Sequence, residues 1–296
     1  RRAAELLNDV LGATDLPPAL RAQAHLQMEM AAFELGDGGS EGHAIAAEHA
    51  FELADDPVGV ARSRLNRAAV LIERGELAGA VRLLDDTMPT FVRNGTLLDA
   101  VIARYNRGLA LVRQGRVDAA TEDSREGIRL AVGLGWPIGE GYHRLLEGQV
   151  ASFTSLEPAL AAFDHAAAIF RSLDAQAWVY ETDVRRAATL LWHGDDMAAR
   201  RLLDAVEAIP DRPDDPALDI ALDRLQGWLL GRSGDFSEAR ERFDRALRRA
   251  RSLDFGYEVA LALWALERWA FATGAVPEPG WAAERTGLFE AAGVTV

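Results

Sequence analysis

Apolar residues recur along this chain with the spacing of amphipathic helices, and the helical stretches come in pairs. The stretch Leu229–Arg248, LLGRSGDFSEARERFDRALR, has the pattern of one helix ending, a tight turn at Ser233 and Gly234, and a second helix. The same pattern returns in LIERGELAGAVRLL, LVRQGRVDAATEDS and LLWHGDDMAARRLL, which begin at Leu71, Leu111 and Leu190. We therefore predict a repeated helical hairpin.

Glycines mark the turn inside each predicted hairpin. The markers are Gly75, Gly115, Gly194, Gly234 and Gly274. The gaps between them are 40, 79, 40 and 40 residues, and the gap of 79 spans two repeats whose middle marker has degenerated to Thr154. An earlier copy has Gly36 or Gly38 at its turn. Self-similarity at a fixed period of this length is typical of a solenoid.

Fixed columns around the markers indicate how the helices pack. Four residues before each marker the residue is apolar, five residues after it an alanine is common, and seven residues before it a small residue is common. The members of these columns are Leu71, Leu111, Val150, Leu190, Leu230 and Ala270; Ala80, Ala120, Ala159, Ala199 and Ala239; and Ala68, Gly108, Ala187 and Gly227. Small residues let two helices approach closely, and no hairpin can bury its apolar face alone, so neighbours must stack.

We predict an all-α fold, a right-handed α-α superhelix of about seven helix pairs with a period of about 40, continuous over residues 1–296. Capping residues and prolines place the helices. They are expected at about 1–12, 17–35, 41–54, 58–74, 76–93, 96–114, 117–133, 137–152, 156–173, 175–193, 195–209, 217–233, 235–252, 256–273 and 278–292. Ser155, Asp195 and Asp235 are the predicted N-caps. The first residues resemble the second helix of an earlier repeat, so a segment of a longer protein is expected.

Composition and charge argue against several classes of function. The net charge of −14 disfavours direct binding of nucleic acid, because phosphate binding needs a basic surface. The chain has no cysteine, which excludes disulfides, thiol nucleophiles and thiolate metal sites. No apolar run is long enough to span a bilayer and no signal peptide is visible, so a cytoplasmic protein without membrane contact is expected.

Catalytic and cofactor signatures are absent from the sequence. Without lysine there is no phosphate-cradling GxxxxGK[ST] loop and no Schiff base. The histidines show no metal-binding spacing, the adjacent acidic pairs fall at helix ends or in linkers, and no GxSxG elbow occurs. We expect no enzyme activity, no cofactor and no metal in this segment.

The columns resemble those of the tetratricopeptide repeat (TPR), with a small residue in the first helix, a turn glycine and an alanine in the second helix. Gly227, Gly234, Ala239, Phe243 and Ala246 match that order. The period of about 40 rather than 34 resembles the TPR-like arrays of bacterial large ATP-binding LuxR-type transcription regulators and of cyclase-linked signalling ATPases. In LuxR-type relatives an ATPase precedes the array and a helix-turn-helix reader follows it.

The resemblance implies that first helices line a concave groove. Asn66, Asn106 and Arg185 stand nine residues before their markers, on the face expected to point inward, where an asparagine amide can both donate to and accept from a peptide backbone. Leu145, Leu225 and Ala265 fill the same column, so the ladder is incomplete. Further groove candidates are the aromatic residues Tyr105, Trp192, Trp228 and Trp264 and the basic residues Arg113, Arg144, Arg224 and Arg232. Packing of the aromatic rings between repeats remains an alternative.

The first functional hypothesis is a non-catalytic sensor segment of a LuxR-type regulator, whose groove binds a protein, a peptide or a small inducer and biases the neighbouring ATPase. A general scaffold for protein–protein interaction is the second hypothesis. The TPR segment of a cyclase-linked ATPase is the third, and it differs only in its flanking domains.

Overall fold

The computed structural model describes residues 2–13, 15–34, 39–210, 212 and 215–294. Within these residues the chain forms fifteen α-helices and no strands, which confirms the predicted all-α class. The helices are α1 Arg2–Leu11, α2 Pro18–Glu34, α3 Ser40–Leu53, α4 Pro57–Arg74, α5 Leu77–Arg93, α6 Leu97–Arg113, α7 Val117–Gly133, α8 Pro137–Ala151, α9 Leu156–Ser172, α10 Gln176–Trp192, α11 Asp196–Glu207, α12 Pro216–Ser233, α13 Phe236–Ser252, α14 Gly256–Thr273 and α15 Trp281–Ala292.

The helices form seven hairpins that stack in chain order, from α2–α3 to α14–α15, with α1 packed on α2. Each first helix, from α2 to α12, also contacts the first helix of the next hairpin. Successive second helices do not contact each other in the part of the chain that the structure describes. The first helices therefore lie on the inner side of a curved stack, and the second helices lie on its outer side.

The marker glycines adopt the left-handed backbone conformation that ends a first helix. Their φ angles are +82° at Gly75, +76° at Gly115, +87° at Gly194, +89° at Gly234 and +71° at Gly274. Glycine is the residue that takes this conformation without a steric penalty, so the predicted turns are confirmed. The candidates Gly36 and Gly38 lie outside the described residues.

The turn at Thr154 lies between α8 and α9, where it is predicted, but it lacks the left-handed residue of the other turns. No residue from Ser152 to Ser155 has a positive φ. Side chains bind the helix-end carbonyls there instead: Ser152 Oγ donates to Gln149 O at 2.6 Å, and Thr154 Oγ1 donates to Ala151 O at 3.2 Å. Here the side-chain hydroxyl groups bind carbonyl groups at the end of the helix, which backbone N–H groups bind at the left-handed glycine turns.

The turns between hairpins form a second, weaker series of left-handed residues. Gly95 and Gly135 have φ of +71° and +61°, and Asp55, Asp174 and Asp254 have φ of +54°, +53° and +59°. Aspartate is one of the few non-glycine residues that tolerates this region. The series keeps a spacing near 40 residues, but the change from glycine to aspartate hides it in the sequence.

Two of the three predicted N-caps are confirmed. Asp195 accepts a hydrogen bond from Ala198 N at 3.0 Å, and Asp235 accepts one from Glu238 N at 3.3 Å. Ser155 occupies the N-cap position of α9 but makes no side-chain capping bond, so this prediction was wrong. Asp56 and Asp215 are additional caps, with bonds of 2.8 Å and 3.0 Å to the third residue beyond.

Small residues permit the close packing that the columns predicted. The alanines five residues after the markers are fully buried. A β-carbon at Gly108 would lie 2.3 Å from Leu146 Cδ2, and one at Gly227 would lie 2.5 Å from Phe243 Cε1. Glycine at these positions lets a large side chain of a neighbouring helix occupy that space.

The stack curves until its far end meets its beginning. Helix α14 contacts α4, and α15 contacts α5. We call this contact the seam. Gln114 Nε2 also donates to Ala292 O at 2.8 Å, and Ala292 packs into the apolar core of α4 to α7. No helix in the described part of the chain is long and apolar enough to cross a membrane.

Candidate functional site on the inner face

Charged and phenolic side chains from five first helices, together with the cap of α12, converge on the inner side of the stack. We call this group the interior cluster. It comprises Glu73 of α4, Tyr105 and Arg113 of α6, Glu181 and Arg185 of α10, Asp215 at the N-cap of α12, Arg224 within α12, and Tyr257 and Glu258 of α14. Residues up to 185 positions apart in sequence are thereby brought together.

Two ion pairs organise the interior cluster. Arg185 Nε lies 2.7 Å from Glu181 Oε1, one turn away on the same helix. Arg224 Nη2 lies 3.3 Å from Glu258 Oε2, which links α12 to α14. The Arg185 side chain keeps 21% of its surface exposed, and its two terminal nitrogens make no hydrogen bond to a described residue. That part of the guanidinium is therefore accessible to a ligand.

Tyr105 lines the same interior and is only 7% exposed. Its ring packs on Tyr142 and Trp178, with centroid distances of 5.4 Å and 6.1 Å. Burial raises the pKa of its phenol, and the nearby Glu181 raises it further. Tyr105 therefore forms part of the aromatic wall of this interior.

Glu73 and Arg113 add a weakly paired carboxylate to the site. Glu73 Oε1 lies 4.0 Å from Arg113 Nη2, and Arg113 Nη1 donates instead to Ile72 O at 3.0 Å. Burial raises the pKa of Glu73, Arg113 lowers it, and the carboxylates of Glu258 and Asp215 raise it. The ionised form of Glu73 is therefore destabilised at this position, although 22% of the side chain remains accessible.

Three tryptophans of the inner helices form a second group, which we call the Trp cluster: Trp192, Trp228 and Trp264. Trp192 stacks on Trp264 at 5.6 Å, and Trp264 lies 5.3 Å from Trp228. Trp192 is 63% exposed, and the buried Nε1 of Trp228 has no partner among the described residues. Trp228 is one helical turn from Arg224, so the two groups form adjoining parts of the inner face.

Comparison with known proteins identifies the fold. No protein-family model matches the sequence, and no curated protein sequence matches it. The apo form of RapI superposes with a TM-score of 0.64 at 12% identity over 92% of this chain and 98% of RapI. A tetratricopeptide repeat protein from Parabacteroides merdae has a TM-score of 0.58 at 15% identity, over 88% of this chain and 91% of that protein. The apo form of the quorum sensor NprR from B. thuringiensis has a TM-score of 0.50 at 15% identity, over 90% of this chain and 79% of that chain.

The chain is a TPR-like helical array. The predicted resemblance of the columns to tetratricopeptide repeats is thus confirmed at the level of the fold. At 12% to 15% identity these likenesses show the fold alone, and they do not transfer a ligand or a partner.

The TPR-like array brings seven of the eleven groove candidates into the two groups on the inner face. Those in the interior cluster are Tyr105, Arg113, Arg185 and Arg224. Those in the Trp cluster are Trp192, Trp228 and Trp264. The ring of Tyr105 packs between repeats, as the alternative interpretation predicts. The ring of Trp192 does not, because it is mostly exposed.

The asparagines and Arg144 occupy other surroundings. Asn66 Nδ2 donates to Glu29 Oε2 at 2.7 Å, so part of this amide is already engaged between α2 and α4. Asn106 is half-buried and makes no side-chain hydrogen bond to a described residue. Arg144 binds Glu140 and Glu147 on its own helix and lines a cleft beside α7, outside the interior cluster.

Five members of the site were not among the predicted groove residues: Glu73, Glu181, Asp215, Tyr257 and Glu258. Glu73 had a detectable signal, because it stands two residues before its marker, as Arg113 and Trp192 do. Tyr257 and Glu258 had none, because they reach the interior through the contact between α4 and α14. In the described residues no three histidine, aspartate or glutamate side chains are grouped closely enough to hold a metal ion.

Proposed function

We propose that this TPR-like array is a non-catalytic sensor segment that binds a protein, peptide or small inducer on its inner face. The observation that carries the proposal is a pair of buried nitrogens without a partner among the described residues, Arg224 Nε and Trp228 Nε1, on the same inner face as the partly exposed Arg185. Buried polar groups without partners cost free energy, and a ligand that supplies hydrogen bonds recovers it. The exposed Trp192 ring next to this region offers apolar contact area for the same ligand.

Structural similarity to a known sensor supports this proposal. NprR is a quorum sensor, and both RapI and NprR were solved as apo forms. Concave surfaces of repeat proteins are the surfaces that they commonly use for binding. The net charge of −14 argues against direct binding of nucleic acid by this segment.

The context that we propose is a cytoplasmic bacterial regulator of LuxR type. In such a regulator an ATPase module precedes the array and a helix-turn-helix module follows it. Ligand binding on the inner face then biases the ATPase between two states, provided that the ligand has different affinities for the two states. A general interaction scaffold has no such ligand-dependent output.

A thermal-shift screen with random short peptides and with sugars tests the sensor proposal. A ligand of the inner face raises the unfolding midpoint, because it binds the folded state only. The double variant Trp228→Phe with Arg185→Gln removes this shift, whereas the matched control Arg144→Gln retains it. A screen without any shift contradicts the sensor proposal, and an equal loss in the Arg144→Gln control contradicts the site.

A further inference from the structure

Two buried N–H groups on α12 have no hydrogen-bond acceptor among the described residues. They are Arg224 Nε and Trp228 Nε1, which belong to residues one helical turn apart on the same face of the helix. Arg224 is only 8% exposed, and Trp228 packs against two apolar core clusters, one toward α10 and one toward α14. A buried N–H group without an acceptor costs free energy, so this face of α12 suits a ligand that supplies acceptors.

Arg185 on the adjoining first helix adds donors that solvent can reach. Helix α10 contacts α12. Arg185 Nε donates to Glu181, whereas the two terminal nitrogens of Arg185 make no hydrogen bond to a described residue. The Arg185 side chain is 21% exposed. The inner face therefore combines accessible donors on α10 with buried donors on α12.

The charges of these two arginines are already balanced by carboxylates. Glu181 Oε1 lies 2.7 Å from Arg185 Nε, and Glu258 Oε2 lies 3.3 Å from Arg224 Nη2. The remaining donor, the indole of Trp228, is neutral. An anionic ligand would meet the two carboxylates as well as the two guanidinium groups, and a cationic side chain has no lone pair with which to accept a hydrogen bond. An uncharged acceptor, such as a carbonyl oxygen, is the group that fits these donors.

The ring of Trp192 lies on the solvent side of the same face. It stacks on Trp264 with a centroid distance of 5.6 Å, and Trp264 lies 5.3 Å from Trp228. Trp192 is 63% exposed, so part of its ring surface is open to a partner. A second aromatic ring placed there gains stacking energy in addition to the area that it buries. The Trp cluster thus extends the surface that carries the donors.

The spacing of these groups sets the length of the ligand. Arg185 and Trp192 are seven residues apart on α10, which is two turns and about 10 Å along the helix axis. An extended peptide advances by about 3.3 Å per residue, so about three residues cover this distance. A compound with a single ring is too short to contact both side chains.

We propose that the ligand of the inner face is a short uncharged peptide with an aromatic side chain, whose ring stacks on Trp192 and whose backbone carbonyl groups accept hydrogen bonds from the donors of α12 and from Arg185. This inference rests on the proposed function and adds the chemical class of the ligand. The carbonyl groups supply the acceptors that Arg224 Nε and Trp228 Nε1 lack. Because both nitrogens are covered by side chains, binding includes a movement within the Trp cluster, whose outermost ring is that of Trp192.

Three pools of pentapeptides, acetylated and amidated at their ends, test the ligand class. The first has phenylalanine at its centre, glutamine after it, and random uncharged residues elsewhere. The second replaces the phenylalanine by leucine, and the third replaces the glutamine by glutamate. We expect the first pool to raise the unfolding midpoint more than the other two. An equal shift with the leucine pool overturns the aromatic contact, and an equal shift with the glutamate pool overturns the preference for an uncharged ligand.

The stacking contact is tested with Trp192→Leu and the tightest peptide of the first pool. We expect the affinity to fall by about 5- to 10-fold, because an aromatic pair is lost. The matched control is Phe271→Leu, which removes another exposed ring of an inner helix, at the far end of α14. This control should keep the native affinity, and an equal loss in both variants overturns the assignment to Trp192.

The buried donor is tested with Trp228→Phe, which keeps an aromatic ring but removes the N–H group. We expect a loss of affinity of about 5- to 10-fold, which corresponds to one hydrogen bond. Trp269→Phe is the matched control, because Trp269 Nε1 already donates to Phe236 O at 2.7 Å within the protein. This control should lower the unfolding midpoint and leave the affinity unchanged. An unchanged affinity in Trp228→Phe overturns the donation from Trp228 to the peptide.

The outcomes separate this proposal from the sensor function. If none of the pools and no member of the wider screen of peptides and sugars shifts the midpoint, both are overturned. If charged peptides or sugars shift the midpoint and the first pool does not, the sensor function stands and the aromatic peptide is overturned. If acetyl-phenylalanine amide binds as tightly as the best pentapeptide, the reach from Trp192 to Arg185 is overturned.

Discussion

The helix face on which a residue of the repeat lies can be predicted from the sequence, but its bonding partner cannot. The alanine column is fully buried as its spacing predicts. Asn66 and Asn106 share one column, yet Asn66 bonds to Glu29 and Asn106 bonds to no described residue. A column specifies the face of a helix, whereas the partner depends on what the neighbouring helix presents there.

His143 is a residue whose environment predicts a pH dependence of stability. It is fully buried, and Nε2 lies 3.0 Å from Val101 O. Burial lowers the pKa of His143 from 6.5 to about 4, although the bond to Val101 acts in the other direction. Between these values the unfolded chain binds more protons than the folded chain, so the free energy of unfolding falls as the pH falls from 6.5 toward 4.

The measurement is chemical denaturation of the native chain and of His143→Gln at several pH values. We expect the native chain to lose about 2 kcal/mol more than the variant between neutral pH and about pH 5, since one pKa unit corresponds to ~1.4 kcal/mol. Glutamine retains a donor for Val101 O but does not titrate. Parallel pH profiles of the two proteins contradict the assignment of this dependence to His143.

At the scale of the element, the helix boundaries follow from local chemistry. Prolines open α2, α8 and α12, and left-handed glycines end α4, α12 and α14. The predicted boundaries differ from the observed ones by only a few residues, because caps and breakers act within a few positions of a helix end. The turn at 152–155 is also placed as predicted, although serine and threonine hydroxyls stand there in place of a glycine.

Capping predicts which aspartates stabilise the hairpins. Asp195→Ala and Asp235→Ala should each reduce the free energy of unfolding by about 1 kcal/mol, because each change removes a bond to a free backbone N–H group. Ser155→Ala is the matched control and should have no such cost, since Ser155 makes no side-chain capping bond. Urea denaturation of the three variants decides this, and an equal loss at all three positions would contradict the capping role.

At the scale of the whole molecule, the position of the contact between successive first helices shifts from one hairpin to the next. The ring contacts of Tyr105 with Tyr142 and of Tyr142 with Trp178 join residues 37 and 36 positions apart, and the contact of Trp228 with Trp264 joins residues 36 positions apart. The repeat period is 40, so these contacts move about one helical turn per hairpin. This steady shift accompanies the curvature that brings α14 back to α4.

The seam predicts a change in shape when it is opened. Ala292 is fully buried at the seam, so Ala292→Arg should separate α15 from α5 and increase the radius of gyration measured by small-angle X-ray scattering. The helical signal in circular dichroism should stay nearly constant, because the hairpins do not depend on the seam. An unchanged radius of gyration, with Ala292→Arg folded, would contradict the closed arrangement.

The sequence by itself determined the helix pairs, their turns and the faces that they bury, because these depend on residues no more than a few positions apart and repeat in every hairpin. Only the tertiary structure decided that the stack closes on itself, that α14 packs against α4, and that Tyr105, Arg185 and Arg224 share one interior. The physical reason is accumulation: each hairpin adds a small rotation to the last, and the position of the seventh relative to the second is the sum of all of them. No local pattern contains that sum, so the candidate site, which depends on it, could not be predicted in full from the columns.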